Sequence, residues 1–214
     1  MVKIYLLGLF YLLLFSQNTN AFNGFDQEIE RYITETANTY NVSESMLRGL
    51  IKMEDGWNGK ISPTGAVGVG QFTVKTWNFL AQTKEGHDIG MQLVTSENRN
   101  KPHDPRRNKR INTLAIGLLA QFHLKKFAER KIQQTDENLY IAHNIGLDGL
   151  YRALHGKSTK EDIRNMRLNG MKKKMSVNDF LTFQKQRYNK NKLIANAQST
   201  IWIQPNINIV WIIP

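Results

Sequence analysis

A long helical repeat near the middle of the chain constrains its fold more than any other feature. Between Ile111 and Glu129, the residues Ile111, Ala115, Leu118, Leu119 and Phe122 recur at three- and four-residue spacing. That spacing puts them on one stripe of a helix and does not fit the two-residue alternation of a half-buried strand. Its length and stripe predict a central buried helix. Other segments keep the same period. Ile29, Ile33, Ala37 and Tyr40 mark one helix; Met46, Leu47, Leu50 and Ile51 mark a second, with Ser43 as its N-cap and Gly56 as its stop signal. Thr73 is placed to cap a third helix carrying Val74, Trp77 and Leu80. Further helices are predicted over 138–144 and from Gly146 to Leu154. The run Ser176-Val177-Asn178-Asp179 has the form of a capping box ahead of Phe180 and Leu181. The fold class is therefore mainly α.

Two stretches break the period. Residues 57–72 are rich in Gly, Ser, Pro and Thr and read as a structured loop with room for a short hairpin. Residues 83–110 are polar and basic with two prolines, a long connection of the kind that tends to carry function.

The chain divides into four parts. Residues 1–21 have the pattern of a signal peptide: Lys3, an apolar run from Ile4 to Phe15, then Thr19-Asn20-Ala21 as a small-residue cleavage site. A dozen apolar residues fall short of the roughly 20 that span a bilayer. An uncleaved anchor is the competing reading; cleavage after Ala21 leaves no stable membrane anchor. Residues 22–156 form the predicted main domain, 157–200 a basic helical extension, and 201–214 an apolar tail suited either to packing on the domain or to docking a partner.

The chain has no cysteine, which excludes disulfides, thiolate metal sites and a lipid-modified cysteine. Composition is that of a globular protein, with 41% hydrophobic and 22% charged residues. A net charge of +11 favours an anionic partner, although a solvated basic surface gives the same number. Nucleic acid and the anionic cell wall both fit the charge. Export favours the wall, so no nucleic-acid partner is expected and the location is the periplasm or cell envelope.

Glu54 carries the chemical interest. It ends an apolar helix stripe and directly precedes a glycine-containing loop. Such a position half-buries a carboxyl at the lip of a cleft. Desolvation raises its pKa, because the ionised form loses water. A carboxyl that stays protonated near neutral pH can protonate a leaving oxygen, as glycosidic cleavage requires. A lone Glu at a helix end is more often a solvated surface residue, so its surroundings have to decide.

Those surroundings resemble a known family. Glu54-Asp55-Gly56-Trp57-Asn58, then Ser62-Pro63-Thr64-Gly65-Ala66-Val67-Gly68-Val69-Gly70-Gln71, then Thr76-Trp77, resemble the signature of the soluble lytic transglycosylases. Tyr140-Ile141-Ala142-His143-Asn144-Ile145-Gly146 is similar to that family's Ala-Tyr-Asn-x-Gly block. The resemblance covers roughly residues 25–156, and Ala115 to Leu124 matches the family's central helix. It implies a lysozyme-like, goose-type domain that cleaves peptidoglycan between N-acetylmuramic acid and N-acetylglucosamine. It implies Glu54 as the single catalytic residue, acid first and then base. A 1,6-anhydro end would form, because the muramic acid C6 hydroxyl attacks in place of water. Ser62, Gln71, His143 and Asn144 are implied to bind substrate, with no cofactor and no metal. For Ser62, a turn role before Pro63 stands equally open. Trp57 and Trp77 read as core packing rather than sugar platforms.

The chain departs from the family at four points. Asp55 replaces the usual Ser and would raise the Glu54 pKa further if it faced inward. The Glu54–Ser62 spacing is one residue short. Gly70 stands where Met is usual. His143 stands for the usual Tyr; it is either a hydrogen-bonded core residue or a pH-sensitive partner of the acid. Short loops of this kind are similar to those of transglycosylases that serve conjugation, pilus and other secretion machines, which makes such an assembly a candidate partner. Two rivals remain: a goose-type lysozyme-like hydrolase on the same fold, and a non-catalytic wall-binding component. His87-Asp88 and His103-Asp104 lie at no recognised zinc spacing. The Lys172-Lys173-Lys174 run is a solvated face or a wall-attracting one.

Overall fold

The computed structural model of the chain describes residues 22–199. The expected signal peptide and the 201–214 tail lie outside the described residues. Among the described residues there are nine α-helices and one 3-10 turn. They are α1 (Gln27–Tyr40), α2 (Glu44–Glu54), α3 (Val74–Ala81), α4 (Lys84–Asp88), the 3-10 turn (Pro105–Arg107), α5 (Lys109–Arg130), α6 (Asp136–Ile145), α7 (Leu147–Leu154), α8 (Lys160–Leu168) and α9 (Val177–Ser199). The β pairing described is two isolated antiparallel bridges, Ile61 with Val67 and Val67 with Phe72, inside the 57–72 loop. Among the described residues, no helix is long and apolar enough to cross a membrane.

Helix α5 is the axis of the core. Every residue from Asn112 to Ala120 is buried, so this segment is enclosed on all sides rather than along the stripe alone. Helix α1 packs against α5, and α2 packs against α9. The caps form where the sequence places them. Ser43 accepts from the Met46 N–H, Thr73 from the Thr76 N–H, and Ser176 and Asp179 exchange the reciprocal bonds of a capping box.

The region after residue 156 is built into the same core. Met166, Phe180, Leu181, Tyr188 and Ala195 belong to the single hydrophobic cluster that also holds α1, α2 and α5. The α2–α9 crossing is close because Gly49 has no side chain; a Cβ there would press on Lys192 and Tyr188. The Tyr188 hydroxyl donates to the Met46 carbonyl at 3.2 Å, and its ring stacks on Tyr140 at 5.2 Å. The basic stretch therefore supplies a structural wall. Its exposed part includes Lys172, Lys173 and Lys174.

The long 83–110 connection is more ordered than a plain loop. It contains α4 and the 3-10 turn, and ends in a buried ion pair between Asp104 and Arg106 at 2.7 Å.

Candidate active site

Helix α2 delivers Glu54 as its final residue. Asp55 closes the helix in left-handed backbone, φ 54°, with its N–H returning to the Ile51 carbonyl. The stop expected at Gly56 thus falls one residue earlier. Gly56 serves another purpose. A Cβ there would collide with the Gly68 carbonyl and the Gln71 amide, so its absence lets the loop fold back onto the end of α2. The Asp55 carboxylate turns outward to Lys60 at 3.2 Å, on an exposed surface. The inward-facing second charge considered from the sequence is not there.

The 57–72 loop is held from behind by buried polar groups. Asn112, at the start of α5, accepts from the Gly70 N–H at 2.7 Å and donates to the Arg106 carbonyl at 2.7 Å. Arg106 has no exposed surface. It grips both oxygens of Asp104 and donates to the carbonyls of Gly65 and Phe72 at 3.0 and 2.9 Å. A buried cation needs such complete pairing, and here the pairing fixes the loop that faces the site.

The five residues singled out by the sequence line one groove of about 480 Å³: Glu54, Ser62, Gln71, His143 and Asn144. Asn165, Leu168 and Asn169, from the end of α8, complete it. Ser62 Oγ accepts from the Ala66 N–H at 2.9 Å and pairs with Thr64 Oγ1 at 2.9 Å, so it makes the turn as well as lining the groove. Gln71 sits in left-handed backbone, φ 48°, and its Nε2 donates to the carbonyls of Lys60 and Gly68. His143 Nε2 donates to the Gly70 carbonyl at 2.8 Å, and its ring meets Phe72 edge-on at 5.4 Å. Burial pushes the His143 pKa below the ordinary histidine range, and the Gly70 bond offsets that only in part. The shift favours the neutral ring, and the Gly70 bond is that of a hydrogen-bonded packed residue. Positions 70 and 143, two departures from the family pattern, are thus one contact. Gly70 is also confined by Ile116, which occupies the space a side chain would need.

Glu54 and Asn144 each leave a polar atom unsatisfied. Glu54 Oε1 and Asn144 Oδ1 are sealed from solvent and have no hydrogen-bond partner. The Glu54 residue as a whole is half-buried, so the exposed part is not that oxygen. Burial pushes the Glu54 pKa up to about 8, against a pull downward from Arg187. The acid is therefore protonated at neutral pH and can donate. Among the residues lining the groove it is the one carboxylic acid.

Sequence reasoning missed two residues beside the acid. Tyr140 lies one turn before Asn144, on the same face of α6. It is buried, and its phenol pKa is pushed up first by burial and then by its nearness to the Glu54 carboxyl. The tyrosine close to the acid is therefore Tyr140, not the residue at 143. Arg187, on α9, sends its positive charge toward both Glu54 and Tyr140. Its guanidinium lies 5.4 Å over the Phe183 ring and donates to Gln184 Oε1 at 3.3 Å. One turn later, Asn191 donates to Met53 Sδ at 3.1 Å, tying this part of α9 to the residue before Glu54. The Tyr140 signal was available as i, i+4 spacing from Asn144; nothing in the sequence marks Arg187.

The remaining candidates lie elsewhere. Trp77 is fully buried and donates to the Gln92 carbonyl at 2.7 Å, while Trp57 packs edge-on against Phe25 at 5.1 Å. Asp88 is paired with Lys84 and Asp104 with Arg106; His87 and His103 are exposed. Among the described residues, no cluster of three or more potential metal ligands forms. Compared with models of known families and with curated proteins, the chain matches none.

Proposed function

We propose that this protein is a lytic transglycosylase of lysozyme-like fold that cleaves peptidoglycan strands in the cell envelope. The observation that carries the reading is a single carboxyl, Glu54, which lines a groove of about 480 Å³ and has one buried oxygen without a hydrogen-bond partner. The helical body and the convergence of Ser62, Gln71, His143 and Asn144 on that groove support it. So does the absence of a second acid among the lining residues, which suits a mechanism with one carboxyl.

The chemistry runs in two steps. Glu54 donates its proton to the oxygen bridging N-acetylmuramic acid and N-acetylglucosamine, and that C–O bond breaks. The substrate's own N-acetyl group stabilises the positive sugar carbon, in place of a protein nucleophile. Glu54, now a carboxylate, removes the proton from the muramic acid C6 hydroxyl, whose oxygen closes onto C1. The ring closure is intramolecular and gains from proximity. Glu54 ends protonated, ready for the next bond. A buried carboxylate is costly, so the mid-reaction anion needs support; Arg187 supplies a compensating charge.

Digestion of purified sacculi, analysed by mass spectrometry, tests the proposal. Wild type should release fragments with 1,6-anhydro ends, and Glu54→Gln should bind sacculi but release at least about a hundredfold less. Reducing ends would make the protein a hydrolase. Equal, negligible release by both proteins would leave only a wall-binding role.

A further inference from the structure

A second cavity, of about 610 Å³, adjoins the groove and shares Asn165 and Leu168 with it. Its walls come from α5, the start of α7 and the face of α8, with Lys75 at the edge. Helix α8 lies in the basic stretch after residue 156, and its Arg164 lines this cavity and not the Glu54 groove. The charges lining the cavity do not cancel. Arg130 is paired with Asp148 at 2.5 Å, and Arg152 holds Asp162 through two bonds of 2.7 and 2.6 Å. Lys75 and Arg164 are exposed cations with no ion-pair partner among the described residues, against one similarly unpaired acid, Glu161. Helix α7 opens at Gly146 without a side chain capping its first N–H groups, which adds partial positive charge on the same side. Leu168, 64% exposed, stands on the rim common to both spaces.

We propose that this cavity receives the carboxylate-bearing peptide branch of the glycan, while the Glu54 groove holds the sugar strand. The inference rests on the substrate reading given above. The shared rim gives the continuity a branched substrate requires. Free cations and uncapped N–H groups suit carboxylates. A neutral sugar gains little from them and prefers aromatic platforms; the cavity offers one, Phe122, half-buried and edge-on to Phe79 at 5.4 Å. Leu168 offers apolar contact to a short side chain at the branch point.

The test uses the full chain carrying Glu54→Gln, so that no probe is consumed. One probe is a four-sugar N-acetylglucosamine–N-acetylmuramic acid chain bearing acidic stem peptides. The other is a neutral chain of four N-acetylglucosamine units. Backbone amide NMR locates each. The peptide-bearing probe should shift the amides of residues 146–149 and 161–168, and the neutral chain should not. Adding Lys75→Glu and Arg164→Glu together should weaken the peptide-bearing probe about tenfold and leave the neutral chain within about twofold. Shifts at the same amides with the neutral chain would make the cavity a stretch of the sugar groove and overturn the proposal. Unchanged affinity in the charge-reversed protein, or no binding of the peptide-bearing probe, would overturn it too. Peptide-dependent binding in the cavity, with no bond cleavage by wild type, would sink the catalytic reading and leave this one standing.

Discussion

A carboxyl that keeps its proton to about pH 8 leaves a mark on stability as well as on rate. Unfolded, Glu54 ionises near 4.5; folded, it ionises near 8. Between those values the unfolded chain sheds a proton that the folded chain retains. The Glu54 contribution to stability is therefore fully present below pH 4.5, falls as pH rises to about 8, and stays low above. Glu54→Gln removes this loss. Its stability relative to wild type should grow between pH 4.5 and pH 8 by up to on the order of 1.4 kcal/mol per unit, read by urea denaturation at both ends. A constant difference would mean that Glu54 is not proton-bearing. Wild-type activity should fall above about pH 8, where the donor form is lost. Burial sets that edge, and Arg187 draws it to lower pH. In Arg187→Gln, the carboxyl should titrate at higher pH and activity should extend to higher pH, while Arg187→Lys should restore the wild-type midpoint. Carbon-13 NMR of the Glu54 carboxyl reads the midpoint without needing turnover. The sequence makes Glu54 legible, because an apolar stripe running into a glycine loop places a carboxyl at a lip. It hides Arg187, one of twenty-nine Lys and Arg residues, separated from Glu54 by most of the chain.

Among the elements, the 57–72 loop depends on what stands behind it. Arg106→Met would strip the buried Asp104 carboxylate of its partner and release two loop carbonyls. The expected loss is about 3–5 kcal/mol in urea denaturation, with part recovered when Asp104→Asn is added. If Arg106→Met costs less than about 1 kcal/mol, the pair is not what holds the loop. Helices with hydroxyl caps and apolar stripes were legible: Ser43, Thr73 and the Ser176–Asp179 box mark real starts. Helix α8 was not. Its buried residues are Met166 and Asp162, and an acid satisfied by Arg152 and Thr159 leaves no apolar repeat to read. The 3-10 turn escaped for the same reason, since Asp104 and Arg106 look like loop residues until each is seen to face the other.

For the whole molecule, the body does not end where the family-like stretch ends. A chain cut after residue 156 would lose Phe180, Leu181 and Tyr188 from the cluster that holds α2. It should show no cooperative thermal transition by circular dichroism and should bind a hydrophobic dye. A sharp melt would show that residues 22–156 stand alone. The extent of the core was not legible, because α9 has a polar, basic sequence and its few inward residues say nothing about which helix they meet. Their partner proves to be the helix that carries the acid, tied through Asn191 to Met53 across 138 residues. Synthesis makes α2 early and α9 late. While the protein is being made, the acid therefore lies in a half-finished wall, still wet and still ionised. If Glu54 is the acid of the proposed reaction, its proton-bearing form waits until α9 has closed over α2.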